Sequence, residues 1–138
     1  MPLQIDHLGI AVHSLDESLR FYAETLGMET AGREIVAAER VEVAMLPAGD
    51  SRVELLEPTD SESTIAKFLA KRGPGLHHVA LRVPDLAAIA ERLRSHGAKV
   101  LNEPRLGAGG HSYIFVHPSS TGGVLLELIQ ETQEDIRR

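Results

Sequence analysis

The sequence predicts an α+β fold built from two tandem βαβββ modules. The stretch IDHLGIAV at 5–12 matches LHHVALRV at 76–83, so that His7 aligns with His78. Each stretch is followed by a helical pattern and then by three runs with strand character. An internal repeat of this kind indicates two copies of one supersecondary unit.

The helix of each module has clear end signals. SLDESLRFYAETLG (14–27) begins with a capping box between Ser14 and Glu17, and Gly27 is a suitable terminator. PDLAAIAERLRSHG (84–97) carries aliphatic residues at helical spacing and also ends in glycine. Both patterns predict an amphipathic helix that packs on strands.

Runs with strand character fill the rest of each module. In chain order they are TAGREIV (30–36), RVEVAML (40–46) and RVELLEP (52–58), then AKVLNEP (98–104), HSYIFVHP (111–118) and GVLLELIQ (123–130). The pattern ESTIAKFLAKRG predicts a helix between the modules. We expect one domain over residues 1–138, with modules over 4–58 and 76–130 joined by a helix over 61–72.

Composition excludes several classes of function. The 138 residues include no Cys, which rules out disulfides, thiolate catalysis and zinc–sulfur sites. There is no basic stripe for nucleic acid and no apolar run long enough for a membrane span. Since MPLQIDHLGIAV does not read as a signal peptide, we expect a cytoplasmic protein. The formal net charge is -6, with interspersed charges except in QETQEDIRR, which we expect to be a frayed tail.

Four polar residues interrupt otherwise aliphatic strands. Because side chains alternate across a strand, His7 and His78 each lie opposite a continuous aliphatic face. Glu54 and Glu127 stand at matching positions in the last strand of each module, 47 and 49 residues after the aligned histidine. A lone histidine at a strand end is usually structural, and a lone strand glutamate usually faces solvent. Two matching pairs instead predict one shared site, because a buried carboxylate needs a partner.

Two imidazoles and two carboxylates suit a divalent metal ion. Nitrogen and oxygen ligands without thiolate favour zinc, cobalt, nickel, manganese or iron, and the pattern does not distinguish among them. Four protein ligands leave one or two positions open on a five- or six-coordinate ion. Open positions indicate catalysis rather than a structural role.

A further acidic residue, Glu42, lies in the run RVEVAML. By alternation Val41 and Val43 face one way, while Glu42 and Ala44 face the other. A solvated carboxylate on an edge strand and a carboxylate in the site are equally compatible with this pattern.

The motifs IDHLGIAV, VELLEP, STIAKFLAKRGPGLHHVALRV and FVHPSSTGGVLLELIQ resemble the vicinal oxygen chelate superfamily over about residues 4 to 130. Within it they are most similar to the methylmalonyl-CoA epimerase family. The resemblance implies paired βαβββ modules that form a curved mixed sheet, a cup around a divalent metal. It also implies that His7, Glu54, His78 and Glu127 are the metal ligands.

The activity implied by the resemblance is metal-dependent epimerisation of methylmalonyl-CoA at its 2-carbon, through an enolate. Glu42 and Glu127 would then be the two acid–base groups, with Glu127 also a metal ligand. The implied partners are a small acyl-CoA substrate and a second copy of the chain in a homodimer. Lactoylglutathione lyase activity (glyoxalase I) uses a similar ligand set and is the alternative. A ligand-sequestering protein without catalysis and an extradiol dioxygenase share the fold and are less compatible with four ligands.

Overall fold

The chain is described from a computed structural model covering residues 3–137, with side chains described as far as residue 135. It divides into two compact units. One unit is His7–His77, and the other combines the described residues up to Asp6 with those from His78 onward. Both boundaries therefore fall inside a strand that opens a module.

The first module consists of four strands and one α-helix, and the connecting helix follows it. They are β1 (Gln4–Ala11), α1 (Leu15–Leu19), β2 (Arg33–Val36), β3 (Val41–Ala48), β4 (Ser51–Pro58) and α2 (Thr64–Arg72). β1 pairs with β4 in parallel and the other pairs are antiparallel, which gives the order β2-β3-β4-β1. The connecting helix α2 begins at Thr64 rather than at residue 61, because the Ser63 hydroxyl caps it by accepting a hydrogen bond from the Ile65 amide.

The second module repeats this arrangement and adds a short C-terminal helix. Its elements are β5 (Gly75–Val83), α3 (Leu86–Ser95), β6 (Arg105–Leu106), β7 (Ser112–Val116), β8 (Leu126–Gln130) and α4 (Gln133–Arg137). β5 and β8 are parallel, whereas β7–β8 and β6–β7 are antiparallel, so the order is β5-β8-β7-β6. The predicted α+β class, with two βαβββ modules and mixed strand pairing, is confirmed.

One face of the strands in each module carries the aliphatic core. In the first module the buried residues that pack together are Val12, Leu15, Ala44, Leu46 and Leu55. In the second they are Val83, Leu86, Ala90, Ile114, Val116 and Leu128. Because α1 and α3 contribute to these clusters, the helices cover this face. The polar residues identified by strand alternation are left on the opposite face.

The first helix departs from its predicted pattern. α1 ends at Leu19, and Arg20–Thr25 continue as a wider π-helical segment. The Leu26 amide donates to the Phe21 carbonyl, five residues back, at 2.8 Å. Gly27 has a φ of 85° and follows this segment, as its terminator role predicts. No helix within residues 3–137 has the length and apolar character that a membrane crossing requires.

The strand predicted at 98–104 is not formed. Within this run only Val100 makes an isolated bridge, and β6 comes later, at Arg105–Leu106. Two backbone hydrogen bonds flank the Val100 bridge, from the Leu101 amide to the Phe115 carbonyl and from the His117 amide to the Lys99 carbonyl. Beyond them the Asn102 side chain replaces further ladder bonds: its carbonyl oxygen accepts from the Phe115 amide at 2.8 Å, and its amide donates to the Tyr113 carbonyl. Side-chain hydrogen bonds of this kind compete with regular strand pairing.

Within the C-terminal run QETQEDIRR, Gln133–Arg137 are helical rather than frayed, which corrects that prediction, and Arg138 lies outside the described residues. Thr132 and Asp135 form a reciprocal cap at the start of α4, since the Thr132 amide donates to Asp135 Oδ2 at 2.8 Å and the Asp135 amide donates to the Thr132 hydroxyl. Asp135 Oδ1 also lies 3.8 Å from Arg82, whose Nε donates to Asp6 Oδ1 at 3.1 Å. This buried ionic cluster ties α4 to β5 and to the start of β1.

The titration of Asp135 makes the cluster pH-dependent. Burial acts to raise the pKa of the Asp135 carboxyl, but hydrogen bonds from Thr132 and the nearby His111 and Arg82 outweigh it, so the pKa lies below its ordinary value of 3.8. A lowered pKa means that the stabilisation is complete above pH 3.8 and is lost as the pH falls through the lowered value.

We therefore expect Asp135→Asn to lower the free energy of unfolding by about 1–3 kcal/mol at pH 7, because hydrogen bonds and ion pairs to a carboxylate are lost. The deficit should shrink towards pH 3. Urea unfolding at both pH values measures it. Glu134→Gln removes an equal charge from an exposed neighbour and is the control. An equal deficit in both variants would refute the role of the cluster.

Candidate functional site

The first module places a histidine and a carboxylate together on the face opposite α1. In the parallel β1–β4 register, His7 is opposite Arg52 and Gly9 is opposite Glu54, so these side chains share a face. His7 Nδ1 lies 3.4 Å from Glu54 Oε2. His7 and Glu54 are both 3% exposed. The carboxylate is therefore largely removed from water.

The second module builds a matching pair on β5 and β8. Ala80 is opposite Glu127 in the register, which puts His78 and Glu127 on one face, away from α3. His78 Nε2 lies 3.0 Å from Glu127 Oε1. Both residues are buried. Each module thus presents one buried histidine–glutamate pair, as strand alternation predicts.

Aromatic rings surround the second pair, and the sequence analysis missed them. The Phe115 ring lies edge-on to the His78 ring with centroids 5.7 Å apart, and Tyr113 lies edge-on to Phe115 at 5.5 Å. Tyr113 is buried in a small cluster with Ala80 and Ile129. The signal was available, because Tyr113 and Phe115 alternate with the core residues of β7 in the run SYIFV.

The two neighbouring histidines of β5 have different surroundings. His77 packs its ring edge-on against Phe68 of α2, with centroids 5.0 Å apart. His78, one residue later, faces Glu127. This alternation explains why the strand opens with two histidines of which one belongs to the site.

The donor atoms of each pair are spaced as ligands of one ion would be. Two atoms that each lie about 2.1 Å from a metal are about 3.0 Å apart at a right angle and about 3.4 Å apart at the tetrahedral angle. The observed separations are 3.0 Å for His78–Glu127 and 3.4 Å for His7–Glu54. Neutral imidazoles and carboxylates are also the donors that zinc and its neighbours prefer. Both pairs therefore fit a divalent ion.

Glu42 does not lie on the face that carries His7 and Glu54. β3 and β4 pair with Met45 opposite Glu54, whereas Glu42 is opposite Glu57. Directly paired residues in antiparallel strands project to the same face. Glu42 is therefore on the face covered by α1, and the prediction that it faces the site is wrong.

The surroundings of Glu42 are those of a surface ion pair. Arg33 Nε and Nη2 donate to its two carboxylate oxygens at 3.0 and 3.3 Å, and Arg33 also bonds Asp16. A signal in the sequence could have shown this. The turn between β3 and β4 pairs Ala48 with Ser51. Moving away from the turn by one residue on each strand at a time then places Met45 opposite Glu54.

The residues from 6 to 115 match the family model of the glyoxalase/bleomycin resistance protein/dioxygenase superfamily. The chain belongs to this superfamily. The match covers both histidine positions and confirms the resemblance inferred from the repeated motifs. The two βαβββ modules are therefore the modules of a known fold family rather than an isolated duplication.

Relatives within the superfamily include several epimerases. The chain is 36% identical over 130 residues to the ethylmalonyl-CoA/methylmalonyl-CoA epimerase of Cereibacter sphaeroides, covering 92% of this chain and 97% of that protein. The crystal structure of methylmalonyl-CoA epimerase from Mycobacterium tuberculosis has 39% identity and a TM-score of 0.89, covering 98% of this chain and 92% of that one. A structure of methylmalonyl-CoA epimerase in complex with methylmalonyl-CoA and NH4+ has 40% identity and a TM-score of 0.89, covering 96% and 97%.

Removal of a histidine from the site should affect metal binding more than folding. We expect His78→Ala to remain folded, because the aliphatic core lies on the other face of β5, and to lose metal affinity by more than about tenfold. Dialysis against Co²⁺ followed by elemental analysis measures this, and thermal unfolding monitors the fold.

The adjacent histidine supplies the control for this experiment. His77→Ala removes the same side chain from the same strand but leaves the His78–Glu127 pair intact. It should bind metal as the wild type does. If His78→Ala keeps its full metal content, His78 is a structural residue and the proposed centre fails.

Proposed function

We propose that this chain catalyses metal-dependent epimerisation of methylmalonyl-CoA at its 2-carbon, through an enolate intermediate. The observation that carries the proposal is the buried histidine–glutamate pair in each module, in a chain whose relatives at 36–40% identity include methylmalonyl-CoA epimerases. The substrate is accordingly a small acyl-CoA.

The proposed metal ligands are His7, Glu54, His78 and Glu127, within one domain over residues 1–138. Two carboxylates and two neutral imidazoles balance the charge of a divalent ion, with cobalt, zinc, manganese and nickel all compatible. When bound, such an ion would supply Lewis-acid polarisation of the substrate's thioester carbonyl. The proposal requires the two pairs to act on the same ion.

Glu127 is the proposed proton-transfer group. It is 8% exposed and shares its face with the apolar cluster of Ala80, Tyr113 and Ile129. Apolar walls exclude water from the carboxylate. Glu127 would take the proton from the 2-carbon, and inversion is completed when a second acid–base group, not assigned to a residue in this proposal, returns a proton to the opposite face of the enolate. Glu42 is not assigned to the reaction, because it lies on the other face of its module.

The proposal includes a homodimer in the cytoplasm. Among the described residues of the first module, four large apolar side chains are exposed: Ile5 at 47%, Phe21 at 54%, Leu26 at 59% and Ile35 at 65%. Because contiguous exposed apolar surface marks association sites, the proposal takes these side chains to lie in one dimer interface. Light scattering of the purified protein measures the assembly directly, and a monomer at micromolar concentration would contradict this part of the proposal.

Assays with two substrates test the activity. Purified protein should invert methylmalonyl-CoA and should lose this activity reversibly on treatment with a chelator. The glutathione hemithioacetal of methylglyoxal should not react. Turnover of the hemithioacetal alone would instead establish lactoylglutathione lyase activity, and binding of either compound without turnover would establish a ligand-sequestering protein.

Two glutamine substitutions test the assignment of the base. We expect Glu127→Gln to lower epimerisation by about 10²–10⁴-fold, because general acid–base groups typically contribute this much. Glu42→Gln should keep activity within a few-fold of wild type, since it breaks only the ion pair with Arg33. Inversion in deuterated water, followed by mass spectrometry of the product, measures both. A larger loss in Glu42→Gln than in Glu127→Gln would reverse the assignment.

A further inference from the structure

Arg52 contacts the same carboxylate oxygen of Glu54 that faces His7. Its Nε and Nη2 donate to Glu54 Oε2 at 3.2 and 2.9 Å. The same oxygen lies 3.4 Å from His7 Nδ1. Glu54 therefore receives two charge-assisted hydrogen bonds, which are stronger than bonds between neutral groups.

The strand register makes this contact almost unavoidable. Arg52 and Glu54 are two residues apart on β4, so both project to the face that carries His7, and Arg52 is directly opposite His7 on β1. The Arg52 side chain is 21% exposed, whereas that of Glu54 is 4% exposed. The guanidinium thus reaches the buried carboxylate from the more exposed side and keeps part of its own hydration.

The second module has no cation at the matching position. VELL at 53–56 aligns with LELI at 126–129, which places Leu125 where the first module has Arg52. The arginine is therefore not a requirement of the repeated fold. Arg52 is specific to the first module, where it contacts the proposed ligand Glu54.

We propose that Arg52 is a positioning residue that holds the Glu54 carboxylate in its ligand orientation before an ion binds. The inference rests on the metal site of the proposed function. A planar guanidinium that donates from two nitrogens restricts rotation of the carboxylate, and groups that orient ligands in this way typically change metal affinity by about 10–100-fold. The opposite effect is repulsion, since a guanidinium near a site disfavours a second cation.

Three substitutions separate positioning from repulsion. Arg52→Leu removes both the charge and the hydrogen bonds, Arg52→Gln keeps one amide donor without charge, and Arg52→Lys keeps the charge without the fork. We expect Co²⁺ affinity, measured by competition with a chromogenic chelator, to fall about 10–100-fold in Arg52→Leu and by less in the other two. Tighter binding in Arg52→Leu and Arg52→Gln, with wild-type affinity in Arg52→Lys, would overturn the inference in favour of repulsion.

Arg33→Leu is the matched control. Arg33 also donates from Nε and Nη2 to a glutamate of the first module, Glu42, although to both carboxylate oxygens and on the other face. Its removal changes the net charge by the same amount and should leave Co²⁺ affinity unchanged. An equal loss of affinity in Arg33→Leu would show that net charge, rather than the orientation of Glu54, controls metal binding.

A measurement on the metal-free protein separates this inference from the proposed function. A thermal double-mutant cycle with Arg52→Leu and Glu54→Gln should show coupling, with Arg52→Leu alone lowering the melting temperature by about 5 °C or more. Absence of coupling would overturn the role of Arg52 whatever the wild type binds. If the cycle shows coupling but the wild-type protein takes up no Co²⁺, the metal site of the proposed function is refuted. The contact between Arg52 and Glu54 would then be a structural ion pair.

Discussion

Two buried carboxylates, Glu54 and Glu127, set the requirement that the rest of the structure meets. A carboxylate taken out of water is strongly destabilising unless cations or hydrogen-bond donors surround it. Each module places a histidine on the neighbouring parallel strand, with its ring nitrogen 3.4 Å from the carboxylate oxygen in the first module and 3.0 Å in the second. The helices and the aliphatic core occupy the other face, so the polar pairs do not interrupt hydrophobic packing.

The two modules reach this result with different neighbours. The first pair has the guanidinium of Arg52 beside it, whereas the second has the rings of Phe115 and Tyr113. A guanidinium beside a carboxylate restricts its orientation, whereas an apolar wall excludes water from it. A duplicated fold can in this way supply two chemically different carboxylates from the same backbone positions.

Much of the site was predictable because it depends on short-range rules. Alternation along a single strand, combined with the internal repeat, identified His7, Glu54, His78 and Glu127, all of which are buried. It did not identify Asp6, Ser63 and Arg82, which are buried as well. The error concerned Glu42, where the face depends on the register between two strands rather than on alternation within one. The turn between β3 and β4 determines that register, whereas alternation within one strand says nothing about which residues lie opposite on its partner.

Other features depended on contacts between residues that are distant in the sequence. The strand expected at 98–104 was lost to the Asn102 side chain, whose partners lie on β7. The helix Gln133–Arg137 within the run QETQEDIRR contains Asp135, which contacts Arg82 more than fifty positions earlier in the chain. Local composition carries no information about such partners. A charged C-terminal run is therefore predicted to be a frayed tail when the residue that it contacts is unknown.

The consecutive histidines of β5 have a consequence for how this protein tolerates change. A shift of β5 by one residue would bring His77 to the position of His78, so a histidine would still face Glu127. The same shift would exchange the residues of the two faces, moving Arg82 towards the α3 side and Val83 away from it. Misalignment would thus keep a histidine ring opposite Glu127 and would be disfavoured because it disrupts the apolar packing against α3. The register that places His78 opposite Glu127 is therefore determined by apolar residues on the other face of β5.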